Sequence, residues 1–459
     1  MDKFLVCLWA GVLLIGTSLP ASAQPHLIVS GKGAAAGSPS ATMSIDLATY
    51  AVQWSAPTPW LVPTVTADGR YLVAFVEPNS SPDSQLWLLD RVSGVVSTIP
   101  LGAYVPREIK AHPRRFELYA QMTDGTVASI TMDGVRPIYT CATPSGLDLS
   151  GDGGRLALVC DNDLLVLDAN SGSLIANFTF GGSPYLPGYD PNPRSPILNF
   201  DGSRVMFVFH FAAAPNNDDL MVLNVATGAY VAYHIKPSLN ALSAEDVTAV
   251  VAATPSRDAV LVSTSWHSST GSGTGNRSLL VDFSTLAVRK VMPLVGRGHC
   301  VSGTGSCLEP STGAFTPDGR YVIVEAADHA YASWPARKWL QLADVEANVL
   351  LASAEFFGGG VSLALASAPL APVNATATMS GRDVTVSWAL LPTSPAVTGY
   401  VLEAGSAPGL ANLAVIAVEG DQPSLHVPNV PPGRYYVRVR GRNVTGTSGP
   451  SNEILVEIP

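Results

Sequence analysis

Short apolar runs separated by turn signals recur six times along this chain: one run leads through a tight turn into a second, and a third ends on an acidic or amide residue before another turn. The clearest copies begin Ala67-Asp68-Gly69-Arg70-Tyr71-Leu72-Val73, Phe200-Asp201-Gly202-Ser203-Arg204-Val205-Met206 and Pro317-Asp318-Gly319-Arg320-Tyr321-Val322-Ile323. They return through Leu86-Trp87-Leu88-Leu89-Asp90, Leu220-Met221-Val222-Leu223-Asn224 and Leu340-Gln341-Leu342-Ala343-Asp344. Runs of this length bounded by Gly, Pro, Asn and Asp read as strands. Self-similarity at a period of about 40 to 60 residues predicts an array of β-units rather than one layered domain.

The units run from about Trp60 to Ile99, Val105 to Cys141, Leu147 to Phe180, Ser195 to Ile235, Val247 to Pro293 and Gly313 to Phe356, each with four strand-length segments. Turns such as Asp90-Arg91-Val92-Ser93-Gly94 and Asp168-Ala169-Asn170-Ser171-Gly172 join third to fourth strands. There the acid closes the turn through its own side chain and Gly takes a positive φ, so these acids are structural. Outside the six units, His26 to Ser30, Thr42 to Asp46 and Tyr50 to Trp54 read as the last three strands of a unit, and Val361 to Ala366 as an isolated first strand. Joined, they predict a seventh unit made from both ends of the domain, the clasp that a closed ring needs.

The DGR turns, the apolar second strands and the L-x-L-x-D third strands resemble the seven-bladed β-propellers of the YVTN and quinoprotein-like type, over residues 24–367. That resemblance implies a fold and no particular function, because such propellers host enzymes, scaffolds and receptors alike. Two copies depart from the pattern, with His112-Pro113-Arg114-Arg115 and Pro255-Ser256-Arg257-Asp258 in place of the DGR turn. Residues 368–372, Ala-Pro-Leu-Ala-Pro, read as a stiff extended linker. Beyond them Val384, Val386 and Trp388 alternate as one face of a β-sandwich strand, and Tyr435, Val437 and Val439 as another. With Gly399-Tyr400 and the run Val430-Pro431-Pro432-Gly433-Arg434-Tyr435 to Asn443, residues 373–459 resemble a fibronectin type III domain. By that resemblance Tyr435 is the corner tyrosine, its hydroxyl bonding back to the chain, and the core closes over Trp388; a spacer or weak adhesion module is the role it implies. The fold expected is therefore all-β: a seven-bladed propeller with 3+1 strand closure and a C-terminal sandwich.

Lys3, the apolar run Phe4 to Ile15 and Ala21-Ser22-Ala23 read as a cleaved signal peptide over residues 1–23, which predicts a secreted or periplasmic protein, bacterial in character. The formal charge of -10 leaves no basic stripe for phosphates, so nucleic acid is excluded as a partner, and no later run is long enough to span a membrane. Four cysteines remain after the leader, an even count that favours disulfides in an oxidising compartment. Cys300 and Cys307 enclose a Gly-rich stretch that easily brings its ends together, and Cys141 with Cys160 follows by elimination. Neither pair has the spacing of a zinc knuckle, so no metal is assigned.

Enzyme signatures are missing: there is no G-x-S-x-G, H-E-x-x-H or C-x-x-C-H, and no catalytic residue or cofactor is assigned. Loop length leans towards function instead. First-to-second and third-to-fourth turns share one face and are uniformly tight, so that face is expected to offer a ligand little side-chain surface. The other face collects long loops, 77–84, 210–218, 266–277 and 328–337 within units, with 181–194 and 296–312 between them. They carry Tyr185, Tyr189, His210, Trp266, His267, His299, His329, Tyr331 and Trp334. Two readings follow: a non-catalytic binding protein holding a glycan, peptide or protein partner on that rim, or a lactonase-like hydrolase or cofactor-dependent dehydrogenase using His210, His267 or His329 with a bound metal. The first is preferred.

Overall fold

The computed structural model describes residues 26–32, 40–46, 52–56, 61–75, 84–180, 191–211, 219–233, 243–268, 274–294, 308–328, 337–357 and 362–459. Among these residues every helix or strand element is a strand. Seven four-stranded antiparallel sheets occupy the chain as far as residue 366, a β-propeller arrangement, and two further sheets follow. The first strand of each repeat lies innermost: Leu61–Val65, Pro106–Ala111, Pro144–Leu149, Pro191–Leu198, Ser243–Ala253 and Leu308–Phe315. Each touches the next in chain order, and Ser362–Ala366 touches both Leu308–Phe315 and Leu61–Val65. That last strand pairs with His26–Lys32, His26 opposite Ala366 and Ser30 opposite Ser362, in one sheet with Ser40–Asp46 and Val52–Ala56.

Strands in the middle of a sheet are apolar on both faces because a neighbouring sheet covers each. Leu118–Met122 is buried at every position, whereas the outermost strand Leu174–Thr179 is largely exposed. Val73, Leu86 and Leu88 of one sheet interlock with Leu118, Ala120 and Met122 of the next, all fully or almost fully buried. At about 1.5 to 3 kcal/mol for each large side chain taken from water, such layers supply the main cohesion between sheets.

The repeated turns are tied twice. Thr66 Oγ1 donates to Asp68 Oδ1 (2.7 Å) and accepts the Tyr71 N–H (3.0 Å), while Gly69 sits at φ 72°. Ser150 with Asp152, Asn199 with Asp201 and Thr316 with Asp318 repeat the device. The Arg of the turn then reaches the acid ending the third strand: Arg70 Nη2 to Asp90 Oδ2 at 2.9 Å, and Arg320 Nε to Asp344 Oδ2 at 3.3 Å. Asp90 Oδ1 in turn accepts the Val92 N–H (2.9 Å). The Arg70 hydrogen bond, helped by those of Val92 and Ser93, holds the Asp90 carboxyl below its ordinary range. Cys141 and Cys160 form a disulfide between adjacent sheets, their Cα atoms 5.6 Å apart. Cys300 and Cys307 lie outside the described residues.

After residue 372 a three-stranded sheet (Val373–Ser380, Asp383–Ala389, Ser424–Val427) packs on a second one built from Ala414–Glu419, Gly399–Gly405, Gly433–Asn443 and Gly446–Thr447, with Ile454–Ile458 paired to Gly433–Asn443. Trp388 meets Tyr400 edge to face at 4.9 Å in its core, and the Tyr435 hydroxyl donates to the Pro431 carbonyl at 2.9 Å. In the segment expected as a stiff linker, Ala368, Pro369 and Pro372 are buried. Asn443 Nδ2 donates to the Ser367 carbonyl (2.9 Å), the Ala396 N–H to the Ala67 carbonyl (3.0 Å), and Arg91 Nη1 to both Gly69 O (2.6 Å) and Thr445 Oγ1 (3.2 Å). These bonds seat the sandwich on the tight-turn face of the propeller.

A candidate ligand cavity on the tight-turn face

The inner strands end around a cavity of about 410 Å³, to which all seven sheets contribute and over which Pro392, Thr393, Ser394 and Pro395 of the sandwich lie. The tight-turn face therefore carries a side-chain-lined volume that its short turns did not predict. Small turns let inner-strand residues define the wall, and the sandwich loop supplies the far side.

Three charges stand in the cavity wall, two on inner strands (Lys110 and Asp148) and one, Arg257, on the turn after another. Asp148, in Pro144–Leu149, is 6% exposed; its Oδ2 accepts the Leu198 N–H of the neighbouring inner strand at 2.9 Å. Arg257 reaches the same oxygen through Nη1 at 2.6 Å, places Nη2 3.4 Å from Oδ1, and donates from Nη1 to the Leu198 carbonyl at 2.7 Å. Lys110 Nζ lies 3.0 Å from Glu108 Oε1, and Glu108 Oε2 accepts the Leu147 N–H at 3.1 Å. The Glu108 carboxylate beside it holds the Lys110 ammonium above its ordinary range, against the effect of burial; Asp148 adds to this and Arg257 opposes it. Lys110, Asp148 and Arg257 thus belong to one electrostatic cluster.

Arg257 occupies a position that elsewhere belongs to glycine. Its N–H donates to the Thr254 carbonyl as the Gly69 N–H does to Thr66, both at 2.8 Å. Its φ is 51°, beside 72°, 67° and 71° for Gly69, Gly202 and Gly319. A side chain in this left-handed region costs roughly 1 to 2 kcal/mol. From this turn the guanidinium spans to a strand two sheets away, which the glycine of the other copies could not do.

A second buried polar group stands behind the wall. His112 is 4% exposed, its Nδ1 accepting the Arg114 N–H at 3.1 Å, and its ring lies where a Cβ on Gly153 would come within 2.4 Å of Nε2. Burial, reinforced by the Arg115 and Arg114 charges and opposed by Glu117 and Asp152, pushes its pKa down to about 4. Glu117 accepts from Ser129 Oγ at 2.5 Å and pairs with Arg115 at 2.6 Å.

Of the residues singled out from the sequence, Tyr185, Tyr189, His299, His329, Tyr331 and Trp334 lie outside the described residues. His210 sits in the strand Arg204–Phe211, opposite Asn192; Trp266 and His267 are consecutive in Ala259–Ser268, opposite Glu245 and Ala244. Among the described residues no group of three or more His, Cys, Asp or Glu is placed to hold a metal. Lys110, Asp148 and Arg257 were missed by loop length as a guide. The available signals were charges inside otherwise apolar first strands, and an Arg where the turn pattern asks for Gly.

No family model matches the chain, and no curated protein matches it. Among solved structures it is similar to Kuenenia stuttgartiensis hydrazine synthase, at 16% identity over 59% of this chain and 76% of that one, with a TM-score of 0.43. It is similar also to the dihydro-heme d1 dehydrogenase NirN in complex with DHE (14% identity, 74% of each chain, TM-score 0.40). A third is the β-propeller domain of Myceliophteria thermophila Cps50 (Swd1), at 10% identity over 68% of this chain and 95% of that one, TM-score 0.43. Enzymes and a protein described only as a propeller domain stand side by side here, and at these scores none carries a ligand or an activity over to this chain.

Proposed function

We propose that this chain is an exported, non-catalytic binding protein, a closed seven-bladed propeller of the YVTN/quinoprotein-like type carrying a fibronectin type III domain on one face. The ring reading is supported by the unbroken succession of inner-strand neighbours, completed by Ser362–Ala366 between the strands at 308–315 and 61–65. The sandwich reading is supported by the Trp388 core and the Tyr435 hydroxyl bond. The observation that carries the binding reading is the chemistry of the cavity: its wall contains no His or Cys, and its charges form ion pairs and backbone hydrogen bonds, an arrangement for recognition rather than for nucleophile and base. The long-loop rim, with Tyr185, Tyr189, His329, Tyr331 and Trp334 on the loops and His210, Trp266 and His267 on the strands that lead into them, serves a larger glycan, peptide or protein partner.

The test is a glycan and peptide array probed with the purified mature protein, followed by Trp266→Ala and Trp334→Ala. Aromatic anchors should each contribute about 2 kcal/mol or more to affinity; because Trp266 lies in a strand paired on both sides, the affinity of its variant is read with the melting temperature measured alongside. An array without binders, followed by detection of turnover on lactone or alcohol substrates, would overturn the reading.

A further inference from the structure

From the donors and acceptors of the cavity wall we infer that it binds a small ligand bearing an oxyanion, a carboxylate or a phosphate, with the sandwich loop at 392–395 as its cover. This rests on the reading of the chain as a binding protein and adds a second site to the rim. The wall holds more unspent donors than acceptors. Lys110 Nζ has three protons and gives one to Glu108. Arg257 has five N–H donors, of which Nη1 serves Asp148 and the Leu198 carbonyl and Nη2 makes one long contact. The lining has one carboxylate against two cations: Asp148 Oδ2 takes both the Leu198 N–H and Arg257 and its Oδ1 the long Arg257 contact, while Glu108, outside the lining, has one partner on each oxygen. The hydroxyls of Thr66 and Ser150 are committed to their own turns.

One further observation points to an occupant. Arg257 is retained in a backbone conformation that glycine adopts freely, and strain of this kind persists where the side chain is needed. A ligand oxyanion between Lys110 and Arg257 would use the spare protons of both cations in charge-assisted hydrogen bonds, the strong class for such groups. Asp148 and Glu108 hold those cations in place and keep the cavity near neutrality when it is empty, so the specificity lies in directed donors and not in net positive charge. A volume of about 410 Å³ admits a small organic acid or phosphorylated metabolite and excludes a polymer.

The experiment is isothermal titration of the mature protein with inorganic phosphate, glutarate and citrate at low ionic strength, with glucose and N-acetylglucosamine as neutral probes, accompanied by thermal-shift measurements. At least one oxyanion should bind one to one and raise the melting temperature with concentration. Lys110→Gln should weaken it about tenfold to a hundredfold, the scale of one hydrogen bond to a charged group. Lys110→Arg should stay within a few-fold of the parent, and Thr393→Trp, which fills the mouth without touching a cation, should abolish binding. The inference fails if only the neutral sugars bind, if no probe binds, or if Lys110→Gln and Thr393→Trp bind as the parent does. Should it fail while the array finds a ligand dependent on Trp266 or Trp334, the binding-protein reading stands without it; failure of both experiments removes both.

Discussion

Arg257 sets two effects of known sign against each other, so three substitutions separate them. Arg257→Ala keeps a Cβ at φ 51° and removes the guanidinium from Asp148; Arg257→Gly removes the guanidinium and releases the backbone. Breaking a fully buried pair by deleting one partner costs about 3 to 5 kcal/mol. Here Asp148 keeps the Leu198 N–H, and the Arg side chain retains 20% of its exposure beside a cavity that can admit water, so about 2 kcal/mol is expected. Arg257→Gly should recover roughly 1 kcal/mol of that relative to Arg257→Ala. Asp148→Asn closes the cycle: the double variant Asp148→Asn with Arg257→Gly should be more stable than the sum of the single losses predicts, by about 1 to 2 kcal/mol. Equilibrium urea unfolding followed by circular dichroism and Trp fluorescence gives all four values. Additive losses would refute the ion pair as a stabilising tie between sheets, and equal stability of the Ala and Gly variants would refute the strain.

The remaining expectations concern pH, closure and redox state. His112 titrates near 4 in the folded protein and near 6.5 when unfolded, so below about pH 6.5 the unfolded chain takes up a proton that the native state refuses. Stability should therefore fall as pH drops from 6.5 to 4, by at most about 3 kcal/mol from this group, and His112→Gln should flatten that part of a pH series of urea midpoints. Deleting residues 373–459 should leave a propeller whose sheets remain protected from hydrogen exchange, whereas deletion from residue 361 should destabilise the whole ring; equal protection in both would exclude closure through Ser362–Ala366. Non-reducing peptide mapping should link Cys141 to Cys160 and Cys300 to Cys307. Cys141→Ser with Cys160→Ser should lose about 3 kcal/mol for a loop with a sequence separation of 19, and unchanged stability would show that the bond adds nothing.

Strand content and repeat were legible because they are local. A turn such as Thr66 to Tyr71 is closed by atoms within five residues, and an apolar middle strand announces burial on both faces. The acids ending the third strands were read as turn closers, and they are; their second duty, anchoring the Arg of the DGR turn, joins Asp90 to a residue 20 positions earlier. The cavity was illegible for a related reason. Asp148 and Arg257 are 109 positions apart and Arg91 and Thr445 are 354 apart, so their meeting depends on how sheets are arrayed around the inner strands and where the sandwich comes to rest. For the Pro-rich stretch after Ser367, composition reports stiffness and says nothing of whether a stiff segment is covered.

The pairing of His26–Lys32 with Ser362–Ala366 has a consequence in time as well as in space. During synthesis, the first three strands of that sheet emerge long before the strand that completes it, and they spend most of elongation with an open, unpaired edge. Contacts of such extreme sequence separation carry a high contact order and a late entropic penalty for bringing the ends together. The intervening sheets can form one after another from local hairpins, while the pairing of His26–Lys32 waits for Ser362–Ala366 to be made. Refolding should accordingly show fast recovery of β-structure and a slower step in which the two chain regions meet, and until that step the exposed edge of His26–Lys32 is where the nascent protein is most open to pairing with the wrong strand.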